Sequence, residues 1–171
     1  MYNCFQDRLW RKNRGDHGSI FLCKGVDLNR NWGFHFGGNQ ISIQCCQLYH
    51  FFSQLESGAS NNKCTETYHG PEAFSEPESA NIRDYTLTLD PVPVLSHSLH
   101  SYSQLWLWPY GYAYDAYPEN YVEIRDLAKE AVDALQAVHG TVFDPINSAD
   151  LCKSASNIFW YIQCYQLLII S

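Results

Sequence analysis

The sequence predicts an α/β fold, and three observations indicate it: a long amphipathic helix, a capping signature for a second helix, and two short apolar strand-like segments between them. Helices that alternate with strands along a chain are typical of layered α/β structures. The length of 171 residues suits one domain. A chain that is 46% hydrophobic and 15% aromatic can build a packed core.

The first predicted helix begins near Ser75. Ser75 offers an N-cap hydroxyl, Pro77 suits the first helical turn, and Glu78 lies three residues after the cap, as in a capping box. In this helix Ile82, Tyr85 and Leu89 are expected to face inward.

Two strands are predicted after this helix, over residues 92–99 and 104–108. Both segments are short and largely apolar, which favours buried strands. Pro91 and Pro93 place the start of the first strand at the edge of a sheet, because proline has no N–H for the ladder.

The clearest helix is predicted over residues 120–138. Apolar residues recur there at helical spacing and form one stripe, and Gly140 follows at the position of a left-handed C-terminal residue. The stripe consists of Ile124, Leu127, Ala128, Ala131, Leu135 and Val138.

Charge and hydropathy argue against two classes of partner. The chain has 11 Lys and Arg against 18 Asp and Glu, a net charge of −7, whereas nucleic-acid binding usually needs a basic surplus. The most apolar segment, residues 158–170, is interrupted by Gln163 and Gln166 and is shorter than the roughly 20 residues that span a bilayer. We therefore expect no nucleic-acid partner and no membrane span.

Cysteine is unusually frequent, with seven residues in the chain. This number exceeds typical cytosolic usage and indicates a secreted origin, although an odd number cannot all pair within one chain. The N-terminal residues lack the basic and apolar regions of a signal peptide, so we expect any secretion signal to lie outside this sequence.

Four segments carry recognisable motifs, and in this order they resemble the zinc carboxypeptidases of the pancreatic carboxypeptidase A type. They are Arg-Leu-Trp-Arg-Lys at 8–12, Gly-Val-Asp-Leu-Asn-Arg-Asn-Trp at 25–32, Cys-Thr-Glu-Thr-Tyr-His-Gly-Pro at 64–71, and the segment at 100–112 that begins His-Ser-Tyr-Ser. The resemblance covers residues 9–39 and 58–151. It implies part of a mixed eight-stranded sheet with helices on both faces, and a monomer that removes the C-terminal residue of peptides by zinc-dependent hydrolysis.

The resemblance also implies a role for each motif. Asn29 and Arg30 match the pair that binds the terminal carboxylate of the substrate, a task that suits a planar guanidinium and an amide. Arg11 matches the catalytic arginine that polarises the scissile carbonyl and stabilises the oxyanion. His100 matches the last zinc ligand, and two residues that line the substrate groove follow it: Ser101 and Tyr102.

Each of these residues also has an ordinary interpretation. Taken alone, Asn29 and Arg30 are polar loop residues, Arg11 is a surface charge, and His100 is an unremarkable histidine; the order of the motifs favours the functional interpretation. A His-x-x-Glu string at residues 69–72 has a spacing that suits a metal site. We interpret it as a loop, because it follows the carboxylate-binding motif instead of preceding Arg11.

The catalytic set that the resemblance implies is incomplete. A zinc site of this type needs two His and one Glu, and carboxypeptidase A is itself a standard example of that set. Only His100 is matched, since the family's other two ligands precede the position of Arg11 and its glutamate base follows position 151. Residues 152–171 contain no acidic residue. The isolated chain is therefore expected not to hydrolyse peptides.

The resemblance further implies a disulfide between Cys23 and Cys64 and an extracellular protein. We expect a partial catalytic domain over residues 7–151, an atypical insertion at 40–57, and an apolar tail at 152–171. The insertion and the tail are rich in apolar, β-prone residues and poor in charge, unlike ordinary surface loops. One hypothesis is that both are translated non-coding sequence or the product of an alternative transcript, which an intact coding frame across residues 40–57 shared by independent transcripts would contradict.

Two alternatives to a catalytic fragment stay open at this point. The chain could be a non-catalytic protein that binds peptide carboxylates, or a misspliced product of a carboxypeptidase gene. Stoichiometric zinc together with turnover of a peptide would indicate an enzyme, whereas carboxylate binding without turnover would indicate a binding protein.

Overall fold

The computed structural model of the protein describes residues 9–18, 23–37, 58–100 and 103–150. The chain forms two compact units. Of the described residues, the first unit contains 9–18, 23–37 and 58–88, and the second contains 89–100 and 103–150.

The first unit has little regular secondary structure in its described part. It contains helix α1, Pro77–Leu87, and a single 3-10 turn, Leu28–Arg30. The side chains at its centre are mostly polar rather than apolar: Val26, Asp27, Asn31, Tyr68, Glu76 and Ser79 are buried. The irregular segments must therefore be held by hydrogen bonds between side chains and backbone.

Backbone pairing and a disulfide join the segments of the first unit. Asn13 N donates to Val26 O at 2.9 Å, and Gly25 N donates to Gly15 O at 2.9 Å. Gly25 has a φ of +79°, and a Cβ at this position would lie 1.9 Å from Asn13 O, so only glycine fits. The predicted Cys23–Cys64 disulfide is present in the structure.

Helix α1 differs from the prediction in two respects. Its N-cap is Glu76 and not Ser75, although Pro77 occupies the first turn as predicted. Ile82 and Tyr85, which were expected to face inward, are more than half exposed. The reason is that α1 is anchored through its first turn, where Ser79 is the buried residue, instead of along an apolar stripe. Leu89 lies beyond the end of the helix.

The second unit confirms the α/β prediction. Strand β1, Leu105–Trp108, pairs in parallel with strand β2, Asp144–Asn147, and helix α2, Tyr121–His139, connects them and contacts both. The bounds of α2 lie within one residue of the prediction. Gly140 ends the helix with a φ of +73°, and its N–H donates to Gln136 O at 2.7 Å.

The buried face of α2 is narrower than the predicted stripe. Ala128 and Val132 are buried, whereas Leu127, Leu135 and Val138 are exposed. Helix α2 contacts both β1 and β2, and residues at the margins of the stripe stay exposed. Val132, which the stripe did not include, points to the strands because it is one turn from Ala128.

The predicted strand at residues 92–99 is wrong, because the structure has no strand over residues 91–100. Pro91 and Pro93 remove backbone donors there, and Val94 is almost fully exposed. Strand β2 was not predicted, since Pro145 lies within it. At the C-terminal end of β2, Asn147 Nδ2 donates to Pro109 O at 3.0 Å and Ser148 Oγ donates to Trp108 O at 2.9 Å. These two hydrogen bonds fix the end of β1.

Candidate active site

The carboxylate of Asp27 joins two of the predicted site residues in the first unit. Its Oδ2 accepts hydrogen bonds from Arg11 Nε at 3.0 Å and from Arg11 Nη2 at 2.8 Å. Its Oδ1 accepts from the backbone N–H of Asn29 at 3.1 Å and so caps the 3-10 turn Leu28–Arg30. One buried carboxylate therefore contacts both Arg11 and Asn29.

Asp27 is itself fixed by the backbone on both sides. Its N–H donates to Tyr68 O at 2.8 Å, and its carbonyl accepts from Arg30 N at 2.8 Å. Only 2% of the residue is exposed, and the Arg11 guanidinium balances its charge across the 2.8 Å ion pair. A buried charge with a partner of this kind is a stable arrangement, whereas an isolated buried charge is not.

Asn29 presents a buried donor without a partner. Its Nδ2 is inaccessible to solvent and makes no hydrogen bond within the part of the chain that the structure describes. Buried amide groups are rarely left unpaired, because each unpaired group has a substantial desolvation penalty. This donor is informative because only a group outside the described residues, or a turn of the side chain, would satisfy it.

Arg30 follows Asn29 directly and is tied to its surroundings. Its Nε donates to Gly58 O, and its Nη1 donates to Asn29 O at 3.3 Å. The guanidinium is therefore held against the backbone of the residue that carries the unpaired amide. Arg11, Asn29 and Arg30, three of the predicted site residues, are thus brought together by Asp27 and the short turn that follows it.

Asn31 fixes the other end of this turn to α1. Its side chain is completely buried and makes hydrogen bonds with five groups of residues 69–79. The two N–H of Nδ2 are shared among His69 O (2.8 Å), Glu72 O (3.0 Å) and Ser75 Oγ (2.9 Å), and Oδ1 accepts from Glu76 N (3.2 Å) and Ser79 Oγ (2.5 Å).

A second buried carboxylate supports the segment that follows Arg11. Glu76 Oε2 accepts from Asn13 Nδ2 at 2.5 Å, and Glu76 Oε1 lies 3.1 Å from His17 Nε2. Asn13 Oδ1 in turn accepts from Val26 N at 2.8 Å. Asn13 therefore links the strand-like segment of Asp27 to the start of α1.

Lys12 is buried next to Arg11. Its Nζ donates to Lys63 O at 2.7 Å and lies 5.9 Å from the centre of the Tyr68 ring. Burial lowers the pKa of Lys12, and the negative charges of Glu66 and Asp27 oppose this shift only in part. Burial also raises the pKa of Tyr68, and the charge of Glu76 adds to that shift. Burial therefore makes Lys12 easier to deprotonate, and Tyr68 harder to deprotonate, than in water.

Sequence reasoning missed the supporting residues Asp27, Asn13 and Glu76. The signal for Asp27 was available, because an acidic residue two positions before Asn29 and three before Arg30 is the natural partner of a nearby arginine. Asn13 and Glu76 are 63 residues apart. Nothing in the local sequence indicates that they meet.

The second unit contains the predicted zinc ligand. His100 is exposed, and its Nε2 lies 3.2 Å from Ser98 Oγ. Ser101 and Tyr102 lie outside the described residues.

His69, the first residue of the His-x-x-Glu string, lies in the first unit, where its Nδ1 is 2.6 Å from Gly70 O. Across residues 9–18, 23–37, 58–100 and 103–150, no group of three or more His, Cys, Asp or Glu side chains could hold a metal ion. These residues therefore do not fit a catalytic zinc ion.

Comparison with known proteins decides the family. The sequence profile of the zinc carboxypeptidase family matches residues 2–162. The chain belongs to the zinc carboxypeptidase family. This result confirms the resemblance that the four motifs indicated.

Curated relatives agree with this family. The chain is 40% identical over 155 residues to carboxypeptidase B of Astacus astacus, a match that covers 91% of the chain and 45% of the relative. It is 40% identical over 156 residues to carboxypeptidase A5 of Homo sapiens, covering 90% of the chain and 31% of the relative. The chain thus spans less than half of the length of these zinc carboxypeptidases.

Solved structures confirm the carboxypeptidase A-like fold. Carboxypeptidase A from Helicoverpa armigera aligns with a TM-score of 0.67 at 30% identity, over 85% of this chain and 31% of that structure. Thrombin-activatable fibrinolysis inhibitor aligns with a TM-score of 0.64 at 30% identity, over 84% of this chain and 31% of that structure. Neither helix that the structure describes is both long and apolar enough to cross a membrane.

Proposed function

We propose that this chain is part of a metallocarboxypeptidase, an enzyme that hydrolyses the C-terminal residue of peptides with zinc, and that the first unit supplies the carboxylate-binding and oxyanion-stabilising residues. The observation that carries the proposal is the buried Asn29 Nδ2, which has no partner among the described residues and belongs to the residue whose backbone carbonyl accepts from Arg30 Nη1. Membership of the zinc carboxypeptidase family supports the reaction class.

The terminal carboxylate of a peptide suits these two donors. A carboxylate has only acceptor oxygens, so an amide N–H and a guanidinium together satisfy it and neutralise its charge. Asn29 Nδ2 is inaccessible to solvent in this conformation, so the amide must turn toward a bound carboxylate oxygen before it can donate to it. A peptide with a blocked C-terminus lacks the charge that Arg30 attracts and would bind more weakly.

Arg11 has a separate role in the proposal. During hydrolysis the scissile carbonyl becomes a tetrahedral oxyanion, and a positive group that is already oriented stabilises this charge without rearrangement. The two hydrogen bonds from Arg11 to Asp27 hold the guanidinium in one orientation. This contact supports Arg11 as the oxyanion-stabilising residue.

Zinc enters the proposal through the family and not through the described residues, which do not fit the ion. We assign no step in this chain to zinc. His100 is proposed as one ligand of the complete metal site, on the strength of its motif. For the 171-residue chain itself we propose carboxylate binding without turnover, because His100 alone of the expected ligand set is matched.

We also propose an extracellular location and a catalytic domain over residues 7–151 that is interrupted by the insertion at 40–57, with 152–171 as a separate tail. The Cys23–Cys64 disulfide supports an oxidising compartment. Intact-mass measurement of the protein isolated from its native source, before and after thiol alkylation, tests the location, since a reduced Cys23–Cys64 pair would contradict it.

The test of carboxylate recognition is an NMR titration of the 171-residue chain. The probes are N-acetylglycyl-L-phenylalanine and N-acetylglycyl-L-lysine, each as the free acid and as the C-terminal amide. We expect the acids to shift the signals of Asn29 and Arg30 with a Kd of about 1 mM, and the amides to bind at least about tenfold more weakly. Equal binding of acids and amides would contradict the proposal.

Asn29→Ala separates binding from stability. It removes a buried donor that has no partner in the described structure, so the free energy of unfolding should change by no more than about 0.5 kcal/mol or rise. Acid binding should nevertheless be lost. The matched control is Asn61→Ala, which replaces an exposed asparagine of the same unit and should leave binding and stability unchanged.

A further inference from the structure

We propose that Asp27 is a positioning residue which sets the orientation of the oxyanion-stabilising Arg11 and of the carboxylate-binding Asn29 at the same time. This inference rests on the proposed function. The geometry divides the two tasks between the two oxygens of one carboxylate: Oδ2 accepts both donors of Arg11, and Oδ1 accepts the backbone N–H of Asn29.

Asp27 is the fixed member of its pair with Arg11. Its backbone is hydrogen-bonded to Tyr68 and Arg30, and its side chain is 3% exposed, whereas 22% of the Arg11 side chain is exposed. A long arginine side chain has many rotamers in water, and a fixed carboxylate that binds two of its donors selects one of them. The orientation of the guanidinium therefore follows from the position of Asp27.

The two tasks respond differently to substitution. In Asp27→Asn the side chain keeps an oxygen that can accept from Asn29 N, so the turn Leu28–Arg30 retains its cap. The negative charge that holds Arg11 is removed. The amide has a single acceptor oxygen, which cannot serve both the Asn29 N–H and the Arg11 guanidinium. In Asp27→Ala both tasks are lost. Asp27→Asn therefore changes the orientation of Arg11 alone, whereas Asp27→Ala changes the orientation of both Arg11 and Asn29.

Asp16 provides a matched control. Its Oδ1 accepts from Gly18 N at 3.0 Å, the same two-residue spacing as between Asp27 and Asn29, but Asp16 is exposed and forms no ion pair among the described residues. Asp16→Asn thus makes the same chemical change in the same kind of turn. A general effect of removing one negative charge from the unit would appear in both variants.

The experiment compares two probes on the 171-residue chain by NMR titration. One is N-acetylglycyl-L-phenylalanine, and the other is its phosphonate analogue, in which a tetrahedral anionic phosphorus replaces the scissile carbonyl and the terminal carboxylate is retained. Such an analogue resembles the transition state and adds a negative charge at the position that Arg11 is proposed to stabilise. The wild-type chain should bind the phosphonate more tightly than the dipeptide acid.

We expect Asp27→Asn to weaken phosphonate binding about tenfold, to change binding of the dipeptide acid less than about twofold, and to shift the Arg11 Nε–Hε signal. Asp27→Ala should weaken both probes, and Asp16→Asn neither. A purely structural role would reduce both affinities equally in Asp27→Asn. That result, or an unchanged preference for the phosphonate, would overturn the proposal.

Failure of the proposed function gives a different pattern. If the wild-type chain does not distinguish the dipeptide acid from its amide, carboxylate recognition itself is wrong whatever Asp27 does. If wild-type recognition is intact and Asp27→Asn behaves like Asp16→Asn, only the role of Asp27 is wrong. Should Asp27→Ala not fold, Asp27→Asn and the Arg11 signal still decide the question.

Discussion

The two units of the chain are stabilised in different ways. The first unit has one described helix, and its centre is a network of buried polar groups around Asn31, Asp27 and Glu76. The second unit has two parallel strands and a long helix whose buried residues, Ala128 and Val132, are small and apolar. Every predicted site residue of the first unit is in or beside the polar network.

The difference shows what each kind of core is suited to. An apolar contact between a helix and strands is non-directional and tolerates small shifts. A hydrogen-bond network is directional, so it can hold irregular backbone and long polar side chains in one arrangement. Such a network is also vulnerable, because removal of one member leaves several buried groups unpaired.

The largest expected effect is that of Asn31→Ala in the first unit. The change removes the contacts of the Asn31 side chain with five groups and leaves the buried Glu76 N–H without its acceptor, whereas the Ser79 hydroxyl keeps Glu76 O at 3.0 Å. We expect the free energy of unfolding to fall by about 3–5 kcal/mol. Urea denaturation followed by circular dichroism measures the change, and exposed Asn61→Ala is the control. A loss below about 1 kcal/mol would show that the polar network does not stabilise this unit.

A smaller effect is expected for Val132→Ala in the second unit. Val132 is 7% exposed and lies on the face of α2 that contacts the strands, so the change opens a small cavity and removes about 1.5–2.5 kcal/mol of stability. Val138→Ala, at a position that is 66% exposed, should change it by less than about 0.5 kcal/mol.

Amide hydrogen exchange distinguishes the responses of the two units. Val132→Ala should accelerate exchange in α2 and leave α1 unchanged, and Asn31→Ala should do the reverse. Equal acceleration in both helices for either variant would contradict separate stabilisation of the two units.

The same contrast explains what the sequence could predict. The bounds of α2 follow from its periodic apolar residues and from Gly140, which are local signals. The N-cap of α1 could not be predicted, because Ser75 is the better cap by residue type and loses that role to contacts with Asn31, 44 residues away. The strand predicted at 92–99 failed because apolar character alone does not provide a hydrogen-bonding partner.

At the candidate site, the sequence motifs predicted the functional residues but not the residue that holds them in place. Arg11, Asn29 and Arg30 were identified through the family resemblance, and their roles stay proposals. Asp27, which contacts two of them, was present inside the same motif as Asn29. Its function becomes visible only when the distance between Asp27 and Arg11 is known, because they are 16 positions apart in the sequence.

The smallest expected effect concerns the pH dependence that Lys12 gives the first unit. Burial lowers its pKa below the usual 10.5, so between the lowered value and 10.5 the unfolded chain binds more protons than the folded chain, and stability rises with pH. Tyr68 acts in the opposite direction above pH 10, because its raised pKa makes the folded chain retain a proton there. The comparison is therefore made from pH 7 to 9.5, by urea denaturation of the wild type, Lys12→Met and the control Lys24→Met, a change at an exposed lysine. We expect stability to rise less with pH in Lys12→Met than in the other two. An identical pH dependence in all three would mean that Lys12 is as well solvated in the folded chain as in the unfolded one, and that the network beside Arg11 is open to water.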